Sequence, residues 1–186
     1  KIYINGKEVD IKNPMDAVKH GIGYLSEDRK RYGIVVGKSV AENSTMATMD
    51  QFMSGAFINK KKERAIAQKY VDSLKTKTPN VDQLVVNLSG GNQQKVVIAK
   101  WLENDPKILI LNSPTVGVDI GSKADIHACA RKLARQGMGV IIISDDISEI
   151  MQNCSRVLVM KKGRIVSEHK VSQLTEAELS QQLRED

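Results

Sequence analysis

The chain has few aromatic residues: Phe, Trp and Tyr make up 4% of its 186 positions, with a single Trp. With so little to stack bases on, it is a poor platform for single-stranded nucleic acid. Cysteine is also scarce. Cys129 and Cys154 lie too far apart in sequence for a C-x-x-C redox pair or a metal knuckle. Both are expected as reduced, core or half-buried thiols of a cytosolic protein. No apolar run approaches the roughly 18–20 residues needed to cross a bilayer. The longest runs, such as residues 140–143, have the length of core strands. The sequence opens on K-I-Y-I-N-G, with no Met, basic n-region or hydrophobic h-region. No signal peptide is therefore expected, and the start reads as lying inside a structural element of something longer.

Hydrophobic residues are 41% of the chain and charged residues 27%, which fits a soluble globular domain with a real core and excludes wholesale disorder. The net charge of +6 suggests an affinity for anions. The excess is scattered, apart from Arg29-Lys30-Arg31 and Lys60-Lys61-Lys62, and the second of these reads as a solvated face.

Along the chain, Asn5-Gly6 between Ile2-Tyr3-Ile4 and Glu8 to Ile11 predicts a hairpin. Pro14 to His20, with Gly21 beyond its end, predicts a short helix. A short strand follows at Ile22 to Leu25, then a polar loop, S-E-D-R-K-R-Y-G. Residues 39 to about 80 are rich in Met and Ala, with a charged helix from Lys60 to Leu74 carrying Ala65, Ala67, Tyr70, Val71 and Leu74 at helical spacing. From Gln93 onward helices and short apolar strands alternate, with strands at Ile108 to Leu111, Gly139 to Ile143, Arg156 to Met160 and Arg164 to Ser167. Thr175 and Glu178 form a capping box that opens a last helix. Such alternation predicts an α/β body, its parallel sheet covered on both faces. The expected divisions are 1–38, a hairpin and loop; 39–100, a helical subdomain; and 101–186, an α/β part.

N-L-S-G-G-N-Q-Q-K-V, residues 87–96, falls where a loop becomes a helix. Two glycines let a bound group approach the backbone, the first-turn N–H groups lack intrahelical partners, and Ser89 adds a hydroxyl. A helix start of this kind suits an anion, most naturally phosphate. Further on, I-L-I-L-N-S-P-T-V-G-V-D, residues 108–119, runs an apolar strand into a turn and a Gly-Val-Asp loop.

Together these resemble the signature motif and Walker B strand of ABC-transporter ATPases. N-Q-Q-K, with G-I-G-Y-L-S-E-D-R-K-R-Y-G at residues 21–33, resembles the C-terminal nucleotide-binding half of the tandem ATPases of bacterial sugar importers of the ribose, galactose and xylose type. The likeness covers nearly the whole chain. It implies an ABC-ATPase fold of the P-loop NTPase kind, with a mostly parallel sheet, flanking helices, an N-terminal β-hairpin and a helical insertion. It also implies that Ser89, Gly90, Gly91 and Gln93 touch ATP held by the opposing half, that Asp119 lies in the D-loop at the dimer seam, and that Glu27 stands at the Q-loop.

Several chemical positions depart from that family. Asn112 and Ser113 occupy the places of the Walker B Asp and the catalytic Glu, and Asp145 stands about where a switch histidine would be. An amide brings no charge to a hard cation, and loss of a positioned base costs about 10²–10⁴ in rate. No Walker A loop, G-x-x-x-x-G-K-[ST], is present, and the segment carrying it is expected to precede the hairpin. G-I-V-V-G-K-S, residues 33–39, has only three residues between its glycines and follows a polar loop, so it reads as an apolar segment with Lys38 at the surface.

The expected function is thus a non-catalytic half that completes an ATP site held by the N-terminal half. ATP and Mg²⁺ belong to the parent assembly, and none is expected on the isolated chain. Membrane subunits are partners, a sugar-binding protein is an indirect one, nucleic acid is not, and the place is the cytoplasmic face of the membrane. An engineered double substitution at Asn112 and Ser113, a competent ATPase half at full length, and a soluble ABC protein acting on nucleic acid stay open.

Overall fold

The computed structural model describes residues 1–54 and 57–184. Ile2–Ile4 (β1) and Lys7–Val9 (β2) pair as an antiparallel hairpin, with Asn5 and Gly6 both at positive φ in the turn. Pro14–Lys19 forms α1, capped by the Asn13 side chain, which accepts from the Asp16 N–H. Ile22–Leu25 (β3) follows. The polar loop after it contains one π-helical turn, Arg29–Gly33, started by Asp28 accepting from the Arg31 N–H.

The central section holds α2 (Val40–Thr45), a 3₁₀ stretch over Met46–Phe52, the short strands β4 (Met53–Ser54) and β5 (Phe57–Ile58), and α3 (Lys60–Ser73). Ser39 and Glu42 make a reciprocal capping box at the start of α2. The buried stripe of α3 is Glu63, Ala67 and Val71, with Lys60 Nζ 2.8 Å from the Glu63 carboxylate. Ala65, expected on that stripe, is exposed; Glu63 takes the inward position because its charge has a partner one turn away.

Gly90–Leu102 (α4) is the spine of the first unit. Val96, Val97, Ile98 and Ala99 are all at most 3% exposed, and each buried Val or Ile stabilises by about 1.5–3 kcal/mol. Two strands follow, β6 (Ile108–Asn112) and β7 (Gly139–Ile143), joined by α5 (Ile120–Arg135). The sheet order is β3-β6-β7. β3 and β6 are parallel, from Ile22 opposite Ile108 to Leu25 opposite Leu111. The face with Gly23, Leu25, Leu109 and Leu111 is buried, and a Cβ on Gly23 would lie 3.2 Å from that of Trp101 on α4. On the other face Ile22, Ile108 and Ile110 are half-buried and Tyr24 is exposed. Cover on both faces was expected. The second face is covered in part, its isoleucines half-buried and Tyr24 open.

The chain divides into two compact units, Lys1–Ile141 and Ile142–Asp186. The helical section shares its core with the sheet, since α4 packs against both α2 and β3, so compactness alone does not set it apart. The second unit contains α6 (Ile147–Asn153), the antiparallel pair β8 (Arg156–Lys161) and β9 (Arg164–Lys170), and α7 (Glu176–Arg184). The Thr175–Glu178 capping box is formed in both directions, at 2.8 and 3.2 Å.

Candidate functional site

Ser89 is the N-cap of α4, in extended conformation, yet its side chain makes no bond to the helix N–H groups. Its Oγ instead accepts from Asn92 Nδ2 at 2.9 Å. The two glycines after it allow close packing. A Cβ on Gly91 would overlap the Ser122 side chain, and one on Gly90 would lie 2.6 Å from both the Gly117 carbonyl oxygen and Arg29 Nη2. The Ser-Gly-Gly loop is therefore seated against the loop that follows β6.

Gln93 is buried. Its amide donates to the Val85 and Leu88 carbonyls at 3.2 Å each, and its Oε1 accepts from Arg29 Nε at 3.4 Å. The side chain is turned inward and holds the loop. Asp119 caps α5, accepting from the Ser122 N–H at 2.9 Å and the Ser122 hydroxyl at 2.8 Å. The backbone N–H and then the hydroxyl of Ser122 hold its carboxyl below the usual range. Ser89, Asn92, Asp119, Ser122 and Lys77 line one cleft of about 310 Å³. Lys95, in the same wall, is neutralised by Asp125 at 2.7 Å and donates to the Lys75 carbonyl at 3.1 Å.

Arg29 ties these pieces together. Its Nη1 and Nη2 donate to the Val116 and Gly117 carbonyls at 2.9 and 3.2 Å, while its Nε faces Gln93. The sequence showed Arg29 only as part of a basic run. Its acceptors are mostly backbone carbonyls, which leave no mark on composition.

At the end of β6, Asn112 Nδ2 donates to the Tyr24 hydroxyl at 3.2 Å. Ser113 sits at φ +48°, a left-handed conformation uncommon for a non-glycine residue. The Val116 N–H donates to the Ser113 carbonyl at 3.2 Å, closing the turn. Among the described residues no group of three His, Cys, Asp or Glu could hold a metal ion. Asn112 and Ser113 bring no carboxylate to this strand end, the charged ligand through which Mg²⁺ is usually held beside phosphate oxygens. Glu27 is exposed in the loop after β3. In the second unit, Asp145 is exposed beside Asp146, which caps α6 through the Glu149 N–H.

Residues 33–39 are occupied with local structure. Ser39 Oγ accepts from the Glu42 N–H at 3.1 Å, and Lys38 Nζ pairs with Glu42 at 3.2 Å. Lys38 is at the surface, as expected. Cys129 and Cys154 are free, and burial pushes both thiols up, so the thiolate form that would react is disfavoured.

The profile of the family described as "ABC transporter" matches residues 1–116. The chain belongs to the ABC transporter family. A xylose import ATP-binding protein of Thermoanaerobacter pseudethanolicus is 49% identical over 93% of this chain and 34% of its own length. A ribose import ATP-binding protein of Chelativorans sp. is 45% identical over 90% of this chain and 33% of its own length. The chain thus spans about one third of the length of these ABC relatives. Among solved structures, a nucleotide-free ATP-binding cassette superposes with a TM-score of 0.77 at 24% identity, over 98% of this chain and 72% of the other. A dimeric cassette, MJ0796, bound to ADP and Pi, gives 0.73 at 22%, over 91% and 72%. These likenesses show the ABC-cassette fold, an α/β body with a parallel sheet and flanking helices.

Proposed function

We propose that this chain is part of the nucleotide-binding machinery of an ATP-driven sugar importer and completes an ATP site that another half holds. In this reading Ser89, Gly90 and Gly91 face the terminal phosphate of ATP bound by the partner half, and Gln93 acts from behind by fixing their loop. Asp119 and the turn before it lie at the seam between halves. Glu27 and the helical section face the membrane subunits, and a sugar-binding protein acts through those subunits. ATP and Mg²⁺ are carried by the partner half. The assembly lies on the cytoplasmic face of the membrane; among the described residues no helix is long and apolar enough to cross one.

The observation that carries the reading is the state of Ser89. Its hydroxyl is not consumed as a helix cap, it stands over first-turn N–H groups that lack intrahelical partners, and it opens onto a cleft with room for a phosphate. The non-catalytic character rests on Asn112 and Ser113, which supply neither a charged ligand nor a general base, and on Asp145, a carboxylate that repels a phosphate where a switch histidine would stand.

The test is Ser89→Glu in the full-length ATP-binding protein. A carboxylate there repels the phosphate, and ATPase activity is expected to fall by about 10² or more, the scale for losing a main stabilising contact to developing charge. Unchanged turnover would sink the donor role.

A further inference from the structure

We infer that Asn92 is a positioning residue that makes the Ser89 hydroxyl a dedicated donor toward a phosphate oxygen. This rests on the reading above and adds how the hydroxyl is oriented.

Asn92 is 8% exposed and bridges two chain segments. Its Oδ1 accepts from the Lys77 backbone N–H at 2.8 Å, and its Nδ2 donates to Ser89 Oγ at 2.9 Å. A backbone N–H can only donate, so the amide oxygen has to face Lys77 and the NH₂ group has to face Ser89. That assignment leaves no choice at Ser89. With a donor already aimed at Oγ, the hydroxyl proton points elsewhere, and the helix N–H groups give it no acceptor. Neighbouring Gln93 already donates to two carbonyls, so it does not compete for Ser89. A serine at a helix start more often accepts from the helix's own N–H groups with its side chain. Asp119 at the start of α5 does so. At α4 Asn92 replaces that arrangement with one that leaves the hydroxyl proton free to donate into the cleft Ser89 lines. Phosphate oxygens accept hydrogen bonds, and the bond to a charged acceptor is the stronger kind.

The Lys77 anchor matters because it sets the amide's orientation from outside α4. Lys75, at φ +51°, leads into it and accepts from Lys95. The turn at 75–77 is thereby fastened to α4 at Lys95 and at Asn92, on the side lined by Ser89.

The experiment is a double-mutant cycle in the full-length ATP-binding protein: Ser89→Ala, Asn92→Ala and both, read as kcat/KM for ATP hydrolysis and as the thermal midpoint. If Asn92 acts through Ser89, each single variant loses roughly 5–50-fold and the double variant loses no more than the larger single, the non-additivity of a coupled pair. Multiplying losses, or full activity in Asn92→Ala, overturns the inference. Should Asn92→Ala fail to fold, Asn92→Asp keeps the acceptor for Lys77 while removing the donor to Ser89. In the same cycle its donor loss vanishes once Ser89 is Ala, and persistence of the full loss overturns the inference. No effect of Ser89→Ala by itself is the separate failure, that of the phosphate-facing role.

Discussion

The Ser-Gly-Gly loop and the end of β6 are neighbours with opposite endowments. At residues 88–93 nearly every polar side chain is committed: Gln93 to two carbonyls, Asn92 to Lys77 and Ser89. What stays open is one hydroxyl and the first turn of a helix. At residues 112–117 the backbone keeps a tight shape, with Ser113 and Gly117 at positive φ, but the side chains are an amide and a hydroxyl. Arg29 spans both, its Nε toward the first and its terminal nitrogens on carbonyls of the second. The difference teaches that scaffold and charge are separable. The strand end holds its neighbour's geometry through backbone carbonyls, which do not depend on the identity of residues 112 and 113.

Cutting the link between the two regions should have the largest effect. Arg29→Ala removes its bonds to Val116, Gly117 and Gln93, and hydrogen bonds from a charged group contribute about 1.5–3 kcal/mol. A stability loss of about that size is expected by chemical denaturation. Arg29→Lys should recover little of it, since an ammonium cannot reproduce the fork of a guanidinium. Full recovery by Lys would show that charge alone matters at this position.

Restoring the strand end sharpens the comparison from the other side. In the full-length protein, Asn112→Asp with Ser113→Glu should raise ATP turnover by less than about threefold. A missing general base is worth about 10²–10⁴, so a gain on that scale would make this half a competent ATPase lacking only those groups.

The smallest effect is a pH dependence at α5. The Asp119 carboxyl is held low by the Ser122 N–H. Its cap stabilises fully above the unfolded value of roughly 3.9, and that stability is lost as pH falls through the lower folded value. Asp119→Asn keeps an accepting oxygen without the titration, so its acid unfolding limb should be shallower. Identical limbs would remove the cap from the account.

Much of this was legible in the residues. Pro14 and Gly21 bounded a helix that forms at Pro14–Lys19, and Thr175 with Glu178 announced a capping box that is present. The Gly90-Gly91 pair marked the loop, because few other residues permit such close approach. The positions that escaped notice depend on partners remote in sequence. Arg29 reaches carbonyls 87 and 88 positions away, and backbone oxygens look alike in every sequence. Asn92 read as one polar residue among N-Q-Q; its importance comes from the Lys77 N–H that fixes its amide. Glu63 broke the apolar pattern of α3 because Lys60 neutralises it, and burial of one paired charge follows no hydrophobic period.

The most direct test of the central claim, that this chain contributes to an ATP site without holding one, is a calorimetric titration of the chain with Mg-ATP. No binding heat is expected up to millimolar nucleotide, with binding appearing only when the partner half is supplied. Micromolar binding by the chain alone would contradict the account, since a phosphate would then be held at residues 33–39 or at another site on this chain.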